Sequence, residues 1–230
     1  MPATPRLSPP FLNRLRARRA RILWWCHLHV PRVAKRSLDL LVVVPALLLL
    51  LPLFAMVALA IRLHDGGPVL FWQRRVGRDG VEFAFPKFRS MRVDAEAVRQ
   101  QLLAVNQHGA QGVTFKMKRD PRITPIGRLI RRTSIDELPQ LWCVLRGTMS
   151  LVGPRPPLVS EVARYAPADR QRLLVTPGLT CIWQVNGRSE VPFEQQVQMD
   201  LDYIRKPSLW ADVWLLLKTL PAVIRGRGAY

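Results

Sequence analysis

The feature that most constrains this chain is an uncharged apolar run from Leu40 to Ile61. As a helix with a rise of about 1.5 Å per residue, the run reaches roughly 33 Å, enough to cross the hydrocarbon core of a bilayer. A buried core helix is the alternative, but a run made mostly of Leu, Val and Ala favours membrane insertion. A cleaved signal peptide is disfavoured, because the run is too long for an apolar signal region and begins far from Met1. The sequence therefore predicts a membrane-associated protein.

The two flanks of the apolar run are both basic. Nine Lys or Arg residues and no acidic residue precede Ser37, and four arginines lie between positions 62 and 78. Because cytoplasmic segments retain basic residues, a single span would place one of these flanks on the wrong side of the membrane. Pro52, near the middle of the run, removes a backbone donor and favours a kink. We therefore expect a re-entrant helix that enters and leaves on the cytoplasmic face, with a single span as the alternative.

The whole sequence predicts three segments and a mixed α/β fold. Residues 1–36 form a basic arm or interfacial helix, with a disordered arm over 1–12 as the alternative; residues 37–62 form the re-entrant membrane helix, and residues 63–230 a cytosolic domain. We expect a membrane-associated, helix-rich, mixed α/β protein: an N-terminal re-entrant helix hairpin plus a compact cytosolic domain with a small β-hairpin and interfacial helices.

Local patterns place the elements of this domain. Short apolar runs over 69–72 and 81–85 flank a Gly77-Arg78-Asp79-Gly80 turn and predict the β-hairpin. Helical patterns predict further helices over 95–107, 126–132, 138–145, 160–174, 191–203 and 208–225. In the last of these, Trp210, Trp214 and Leu217 lie near one face, which suits either the membrane interface or core packing.

The charge balance identifies the kind of partner. The chain has 35 Lys and Arg against 16 Asp and Glu, a formal net charge of +19. Such an excess indicates an anionic partner, and no recognised nucleic-acid-binding motif is present. We therefore expect anionic membrane lipids and no nucleic acid. The three cysteines are far apart and form no CxxC, as in a protein of the reducing cytoplasm.

One segment, from Arg119 to Pro157, places two adjacent carboxylates, Asp136 and Glu137, among many guanidinium groups. Arginine binds phosphate oxygens two at a time, and a hard divalent cation prefers carboxylate and phosphate oxygens. This composition suits a site for several phosphates and a metal ion. The arginines are Arg119, Arg122, Arg128, Arg131, Arg132, Arg146 and Arg155.

A structural interpretation of the same residues is also open. Ser134 followed three residues later by Glu137 has the pattern of a helix capping box, which needs no catalysis. Asp136 near a helix start is ordinary dipole complementarity, although such a helix end also attracts phosphate. Asp200 and Asp202 have the spacing for metal or nucleotide support, but a solvated helix face is the favoured interpretation.

An ordered set of motifs over residues 33–230 resembles the bacterial sugar transferases, the monotopic polyprenyl-phosphate phosphoglycosyl transferases. Each motif alone is weak, but their order along the chain is specific. The chain is similar to the short, exopolysaccharide-initiating form. The motifs are Lys35-Arg36 with Asp39, Gly67-Pro68-Val69, Gln73-Arg74-Arg75-Val76-Gly77, Lys87-Phe88-Arg89-Ser90-Met91, Asp120-Pro121-Arg122, Ser134-Ile135-Asp136-Glu137-Leu138-Pro139-Gln140, Gly153-Pro154-Arg155-Pro156, Trp183-Gln184-Val185-Asn186-Gly187-Arg188 and Gly228-Ala229-Tyr230.

The resemblance implies an enzyme at the cytoplasmic face of the bacterial inner membrane. Such enzymes move a hexose-1-phosphate from a UDP-sugar to polyprenyl (undecaprenyl) phosphate and release UMP, in the first membrane step of exopolysaccharide or O-antigen synthesis. The implied route is ping-pong, with a phospho-aspartyl intermediate and Mg²⁺. The sugar, galactose, glucose or another hexose, stays open, as does the oligomeric state, a homodimer included.

Roles follow for the residues that match the motifs. Asp136 is expected to be the nucleophile, and Glu137 the main Mg²⁺ ligand, because a carboxylate can attack phosphorus if cations offset the repulsion. Five cationic residues are expected to bind phosphate: Arg131, Arg132, Arg155, Lys87 and Arg89.

Two residues depart from the family pattern. Cys143 stands where many relatives have Asn, and Thr148 where an acidic residue is common, so local hydrogen bonding is expected to differ. Three other functions stay open at this point: a non-catalytic scaffold of a polysaccharide assembly complex, a membrane-bound nucleic-acid binder, and a polyprenyl-phosphate phosphatase.

Overall fold

The computed structural model describes residues 10–95, 120–187 and 191–225. Most of the predicted helix over 95–107, together with Arg119, Arg188 and the terminal Gly228-Ala229-Tyr230, lies outside the described residues. The chain divides into two compact units, Met1–Leu38 and Asp39–Tyr230. The second unit contains both carboxylates of the Asp136-Glu137 pair.

The described residues form helices and four short strands, so the expected helix-rich mixed α/β class is confirmed. Short 3₁₀ helices lie at Arg78–Gly80, Ile135–Gln140 and Asp169–Leu174. The other elements, in chain order, are α1 (Pro10–Asp65), β1 (Leu70–Val76), β2 (Glu82–Phe88), α2 (Pro125–Arg132), α3 (Leu141–Arg146), β3 (Ser150–Val152), α4 (Val159–Val162), β4 (Gly178–Thr180), α5 (Ile182–Val185), α6 (Phe193–Arg205) and α7 (Leu209–Arg225).

Helix α1 contains the apolar run. Its segment Arg32–Asp65 is long and apolar enough to cross a membrane, and only 11% of its most apolar window is buried. A core helix of a water-soluble protein would be mostly buried, so this exposure favours association with lipid. The backbone stays helical through Pro52, inside the single helix Pro10–Asp65. These properties are consistent with the expected membrane association.

One side of α1 packs on the remainder of the second unit. Val43 is fully buried in a cluster with Phe85 and Val144, and Val57 and Ile61 belong to another apolar cluster nearer the end of α1. At the start of this contact Asp39, also buried, accepts hydrogen bonds from Ser150 Oγ and Leu151 N, both at 3.0 Å. The apolar helix is therefore anchored to strand β3, and the exposed leucines of α1 lie on its remaining surface.

Two small sheets lie in the part of the chain that follows α1. Strands β1 and β2 pair antiparallel, from Leu70 opposite Phe88 to Val76 opposite Glu82, which confirms the predicted β-hairpin. Strands β3 and β4 pair in parallel, with Ser150 opposite Gly178. The parallel pair was not predicted, because strands of three residues are too short to show an alternating pattern.

Three predicted helices are confirmed: 126–132 as α2, 191–203 as α6 and 208–225 as α7. The expected helix over 138–145 begins inside the 3₁₀ helix Ile135–Gln140 and continues as α3. Two other expectations need correction. The expected helix over 160–174 is wrong: α4 ends at Val162, and the 3₁₀ helix Asp169–Leu174 follows a turn that contains Pro167. Proline disfavours helical backbone at the residue before it and lacks the donor that a continuous helix needs. The second correction concerns Asp200, which was expected on a solvated face.

Asp200 is buried on α6, with 1% of its surface exposed. Its carboxylate accepts a 2.5 Å hydrogen bond from Arg172 Nη2, and Arg172 Nη1 donates to the Tyr165 hydroxyl at 3.1 Å. Asp202, two residues on, is solvent-exposed as predicted. The buried pair therefore joins the 3₁₀ helix Asp169–Leu174 to α6 and serves the fold.

Candidate active site

The two adjacent carboxylates lie at the start of the 3₁₀ helix Ile135–Gln140. Ser134 precedes it in the left-handed region, with φ 55° and ψ 18°, and its side chain makes no capping hydrogen bond. The capping-box interpretation is therefore wrong, since the Glu137 side chain is bound elsewhere. A non-glycine residue in this region costs about 1–3 kcal/mol, and such strain is concentrated at functional sites.

Glu137 is held by Arg155. Arg155 Nη2 donates to Glu137 Oε1 at 2.5 Å and Nη1 to Oε2 at 3.3 Å, so the contact is a two-pronged fork. About a quarter of each side chain is exposed. Burial alone would raise the pKa of Glu137, but the charge of Arg155, and to a smaller extent those of Lys87 and Arg75, lower it to about 2. Glu137 is therefore ionised throughout the physiological range.

Asp136 is buried more deeply, with 8% of its surface exposed. Burial and the neighbouring charge of Glu137 raise the pKa of Asp136 to about 7, against the opposing effect of Arg131, Lys87 and Arg155. Two adjacent carboxyl groups with pKa values pushed apart in this way are a common sign of divided acid–base or nucleophilic roles.

Lys87, on β2, is a cation of the hairpin that acts on both carboxyl groups. Its ammonium group lies 5.5 Å from the centre of the Phe71 ring. Burial and the charge of Arg75 lower the pKa of Lys87 to about 8, while Asp136 acts in the opposite direction. Lys87 therefore changes charge close to the pH range in which Asp136 does.

The structure brings together five of the seven predicted site residues: Asp136, Glu137, Arg155, Lys87 and Arg131. The other two lie differently. Arg132 is exposed at the end of α2, and Arg89 pairs with Asp65 and donates to the Pro68 carbonyl oxygen at 2.6 Å. Phosphate binding by these residues stays a prediction, and Arg89 has a structural contact that the sequence did not reveal.

The segment that carries Arg155 is placed by close backbone contacts with β4. Gly153 N donates to Thr180 O at 3.0 Å, and Gly178 N donates to Pro154 O at 2.9 Å. A Cβ atom on Gly178 would lie 2.0 Å from Gly153 N, so only glycine permits this approach. These contacts fix the backbone on one side of Arg155.

Arg75 is a charged neighbour of the site that the sequence analysis did not select. Burial and Arg155 lower the pKa of Arg75 to about 10, and Arg75 also acts on Glu137 and Lys87. The strand pattern could have indicated Arg75, because residues 71, 73 and 75 share one face of β1 and Phe71 pairs with Lys87. It becomes usable only once the hairpin register is known.

The donor set fits a magnesium ion. Among the described residues there is no cluster of three or more His, Cys, Asp and Glu side chains. Mg²⁺ is commonly bound by one or two carboxylates together with substrate phosphates and water, and Asp136 with Glu137 supplies such a pair. Each carboxylate oxygen has more than one lone pair, so the Arg155 contact leaves Glu137 able to accept further ligands.

The two departures from the family pattern have local partners. Buried Cys143 donates to the Ala84 carbonyl oxygen at a Sγ–O distance of 3.5 Å, and Thr148 Oγ1 donates to the Cys143 carbonyl oxygen at 3.1 Å. Thr148 thus closes the turn after α3. Both side chains are engaged in backbone contacts that do not involve Asp136 or Glu137.

Comparison with known proteins gives consistent matches. The family model described as Bacterial sugar transferase matches residues 30–226. The UDP-galactose-lipid carrier transferase of Erwinia amylovora is 43% identical over 204 residues, 88% of this chain and 43% of that protein. The exopolysaccharide production protein ExoY of Rhizobium meliloti (strain 1021) is 40% identical over 200 residues, 86% of this chain and 88% of ExoY. The undecaprenyl-phosphate galactose phosphotransferase of Salmonella typhimurium is 43% identical over 202 residues, 86% of this chain and 42% of that protein.

The long apolar helix, of which little is buried in the structure, is typical of a membrane-associated protein. More specifically, this chain belongs to the bacterial sugar transferase family, which confirms the resemblance drawn from the motifs. It spans about two fifths of the length of the Erwinia and Salmonella relatives and most of the length of ExoY.

Proposed function

We propose that this protein transfers a hexose-1-phosphate from a UDP-sugar to polyprenyl phosphate and releases UMP, at the cytoplasmic face of the bacterial inner membrane. The observation that carries the proposal is the buried Asp136, with its raised pKa, beside a Glu137 held ionised by Arg155. The names of relatives support both substrates: one names UDP-galactose and a lipid carrier, another undecaprenyl phosphate and galactose. The ExoY relative supports a place in exopolysaccharide production.

In the first half-reaction Asp136 acts as nucleophile on the phosphorus that bears the sugar. A bond forms between its carboxylate oxygen and that phosphorus, and the bond from phosphorus to the oxygen bridging the two phosphates breaks. UMP leaves with the bonding electron pair. The carboxyl group must be ionised to attack, and a pKa near 7 leaves a strongly basic carboxylate available at neutral pH.

In the second half-reaction a phosphate oxygen of polyprenyl phosphate attacks the same phosphorus. The bond from phosphorus to the Asp136 oxygen breaks, and the carboxylate leaves with the electron pair. The products are a polyprenyl diphosphate sugar and the free enzyme. One carboxylate thus serves both steps, so the chain needs no second nucleophile.

The cations around Asp136 offset the negative charge of the diphosphate. Arg131, Lys87 and Arg155 all favour the ionised form of Asp136, and the same fields favour a phosphate group bound beside it. Mg²⁺, held mainly by Glu137, would supply further charge neutralisation for the departing phosphate. Arg155 keeps Glu137 ionised and oriented for that role.

The membrane part of the proposal concerns two helices. Helix α1 is proposed to enter and leave on the cytoplasmic face as a re-entrant helix, supported by its basic flanks, its exposed leucines and Pro52. Helix α7 exposes Trp210, Trp214 and Leu217, while Lys218 lies 3.7 Å from the centre of the Trp214 ring. Aromatic and basic side chains on one helix suit the interface of an anionic membrane.

A UMP-release assay tests the function. Purified protein with Mg²⁺ and polyprenyl phosphate is presented with a panel of UDP-hexoses, UDP-galactose first. We expect UMP release with at least one donor, and mass spectrometry of a reaction without acceptor should find a phosphosugar on Asp136. Asp136→Asn should abolish both signals, whereas Asp202→Asn, an exposed aspartate on α6, should retain them.

Other outcomes favour the alternatives. An Asp136→Asn protein that still supports polysaccharide synthesis in cells would indicate a scaffold rather than an enzyme. Release of inorganic phosphate in place of UMP would indicate a phosphatase. Salt-sensitive retention of DNA, with no UMP from any donor, would indicate nucleic-acid binding.

A further inference from the structure

The segment that carries Arg155 is held on two sides. Hydrogen bonds to β4 hold Gly153 and Pro154 on one side. On the other side, Val76 N donates to Pro157 O at 2.9 Å, and Arg75 Nη1 donates to Pro156 O at 2.8 Å. The Arg75 side chain therefore binds the carbonyl group of the residue directly after Arg155.

The Arg75 side chain is itself held in one orientation. Its Nε and Nη2 both donate to Gln73 Oε1, at 3.0 and 2.8 Å, and its guanidinium lies 5.1 Å from the centre of the Phe85 ring. Gln73 and Arg75 are two residues apart on β1 and so share one face. The Arg75 guanidinium is thus held by two nitrogens, and its third nitrogen, Nη1, donates to the Pro156 carbonyl oxygen.

We propose that Arg75 is a positioning residue for the phosphoryl transfer: it holds the Pro156 carbonyl and thereby sets where Arg155 meets Glu137. The inference rests on the proposed function and extends it to a residue that does not touch the reacting carboxylates. Arg75 and Arg155 are like charges, so their closeness is unfavourable by itself. The carboxylates of Glu161 and Glu137 offset part of this repulsion. The hydrogen bonds to Gln73 and Pro156 hold the guanidinium in place.

A lysine cannot replace this arrangement. Arg75 uses all three guanidinium nitrogens in a planar fork, whereas an ammonium group is a single flexible donor centre. The charge is retained in Arg75→Lys, but the link from Gln73 to Pro156 is lost. If position rather than charge matters, Arg75→Lys and Arg75→Gln should be similarly impaired.

The test is a double-mutant cycle on UMP release. We expect Arg75→Lys to lower kcat by about 10-fold or more, with the KM for the UDP-sugar changed less, because a displacement of about 1 Å can cost 10²-fold. In an Arg155→Lys background the same change should cost less than about 2-fold, since there is no Arg155 left to position. Arg74→Gln, an exposed arginine on the neighbouring position of β1, should behave as wild type.

Four results decide the matter. Wild-type kcat in Arg75→Lys, or the same fold-loss with and without Arg155, would overturn the inference while leaving the proposed function intact. A rise in KM with kcat unchanged would overturn it in favour of direct substrate binding. If Arg75→Lys merely unfolds the protein, Gln73→Leu removes the same support and should show the same dependence on Arg155. UMP release that survives Asp136→Asn would overturn the proposed function, and the inference with it.

Discussion

Asp136 and Glu137 are neighbours in sequence, yet their surroundings favour opposite protonation states. Burial and Glu137 raise the pKa of Asp136 to about 7, while Arg155 lowers that of Glu137 to about 2 in spite of burial. Each carboxyl group therefore has an opposite relation to stability. The ionised form of Asp136 destabilises the folded protein, and the ionised form of Glu137 stabilises it.

Replacing Asp136 should stabilise the protein at neutral and alkaline pH. Below about pH 4 the carboxyl group is protonated in folded and unfolded chains, so Asp136→Asn should change little. Between about pH 4, where the carboxyl group ionises in the unfolded chain, and about pH 7, where it ionises in the folded protein, the wild type loses stability. Above pH 7 this loss is complete, and the Asn variant does not show it. At pH 8 we expect Asp136→Asn to raise the free energy of unfolding by on the order of 2–4 kcal/mol. Thermal unfolding in detergent between pH 4 and 8 measures the difference, and a constant difference would contradict the raised pKa.

Replacing Glu137 should have the opposite effect. Glu137→Gln leaves the partly buried Arg155 without its ion partner, and we expect a loss of about 1–3 kcal/mol at pH 7. Because the folded pKa of Glu137 is depressed, its contribution is present above about pH 4.5 and is lost as pH falls towards 2. The same unfolding series tests this, and a Glu137→Gln protein as stable as wild type at pH 7 would show that the pair contributes nothing.

The pH dependence of turnover should reflect Asp136 and Lys87. Asp136 must lose its proton to attack, so kcat/KM for the UDP-sugar should rise with pH through about 7. Lys87 loses its charge above about pH 8, so kcat/KM should fall again.

Two variants of Lys87 test this assignment. Lys87→Arg should move the falling limb to higher pH, because arginine stays protonated. Lys87→Gln should shift the rising limb upward, since a positive charge beside Asp136 is gone. A rising limb near pH 4, the ordinary carboxyl value, would contradict the raised pKa of Asp136.

At the scale of elements, the contact between β4 and the segment Gly153–Arg155 positions the site. In Gly178→Ala the added Cβ would lie 2.0 Å from Gly153 N and 2.5 Å from Gly153 O. Both are backbone atoms, so relief of the clash requires the whole segment to move. We expect about 1–3 kcal/mol lost in stability and UMP release reduced about 10-fold or more.

A control separates stability from position in this case. Gly80, at the hairpin turn, has φ +81° and open space where an added Cβ would lie, so Gly80→Ala costs about 1–2 kcal/mol through backbone strain alone. Its kcat should stay near wild type. Equal loss of activity in Gly80→Ala and Gly178→Ala would mean that reduced stability, and not the displaced segment, limits turnover.

The sequence predicted those elements that have a strong local signal. Helices α6 and α7 and the β-hairpin follow from periodicity and turn residues, and Pro167 shows how one residue divides a helical pattern. The parallel pair β3–β4 could not be predicted, because each strand has three residues and they are joined only by tertiary contacts. Local pattern therefore located the elements but not the contact that places Arg155.

For the site too, the sequence indicated the residues but not their tertiary contacts. Motif order singled out Asp136, Glu137 and Arg155, but the fork between the last two joins residues 18 apart. Lys87 and Arg89 are both cationic residue types and lie two residues apart, yet Lys87 acts on the carboxyl groups of the site and Arg89 pairs with Asp65 on α1. Sequence alone gives residue types; their partners depend on register and packing.

At the scale of the whole molecule, the charge of +19 complements the apolar helix. A basic side chain near an anionic surface contributes about 1 kcal/mol, and the effect decays within a Debye length of about 8 Å at physiological ionic strength. Burial of an apolar helix does not depend on salt in this way. Charge therefore favours one membrane surface and one leaflet composition, while α1 supplies the lasting attachment.

We expect both flanks of the apolar run in α1 to lie on the same side of the membrane. Ser37 and His64 are exposed residues on the two sides of the apolar run. In spheroplasts that express Ser37→Cys or His64→Cys, a membrane-impermeant maleimide should label neither residue, and both should react after lysis. A single span would label one of the two before lysis, because its ends lie on opposite sides. Two basic flanks make that arrangement unfavourable, since one would have to be translocated. Labelling of either cysteine in sealed spheroplasts would therefore replace the re-entrant helix with a span.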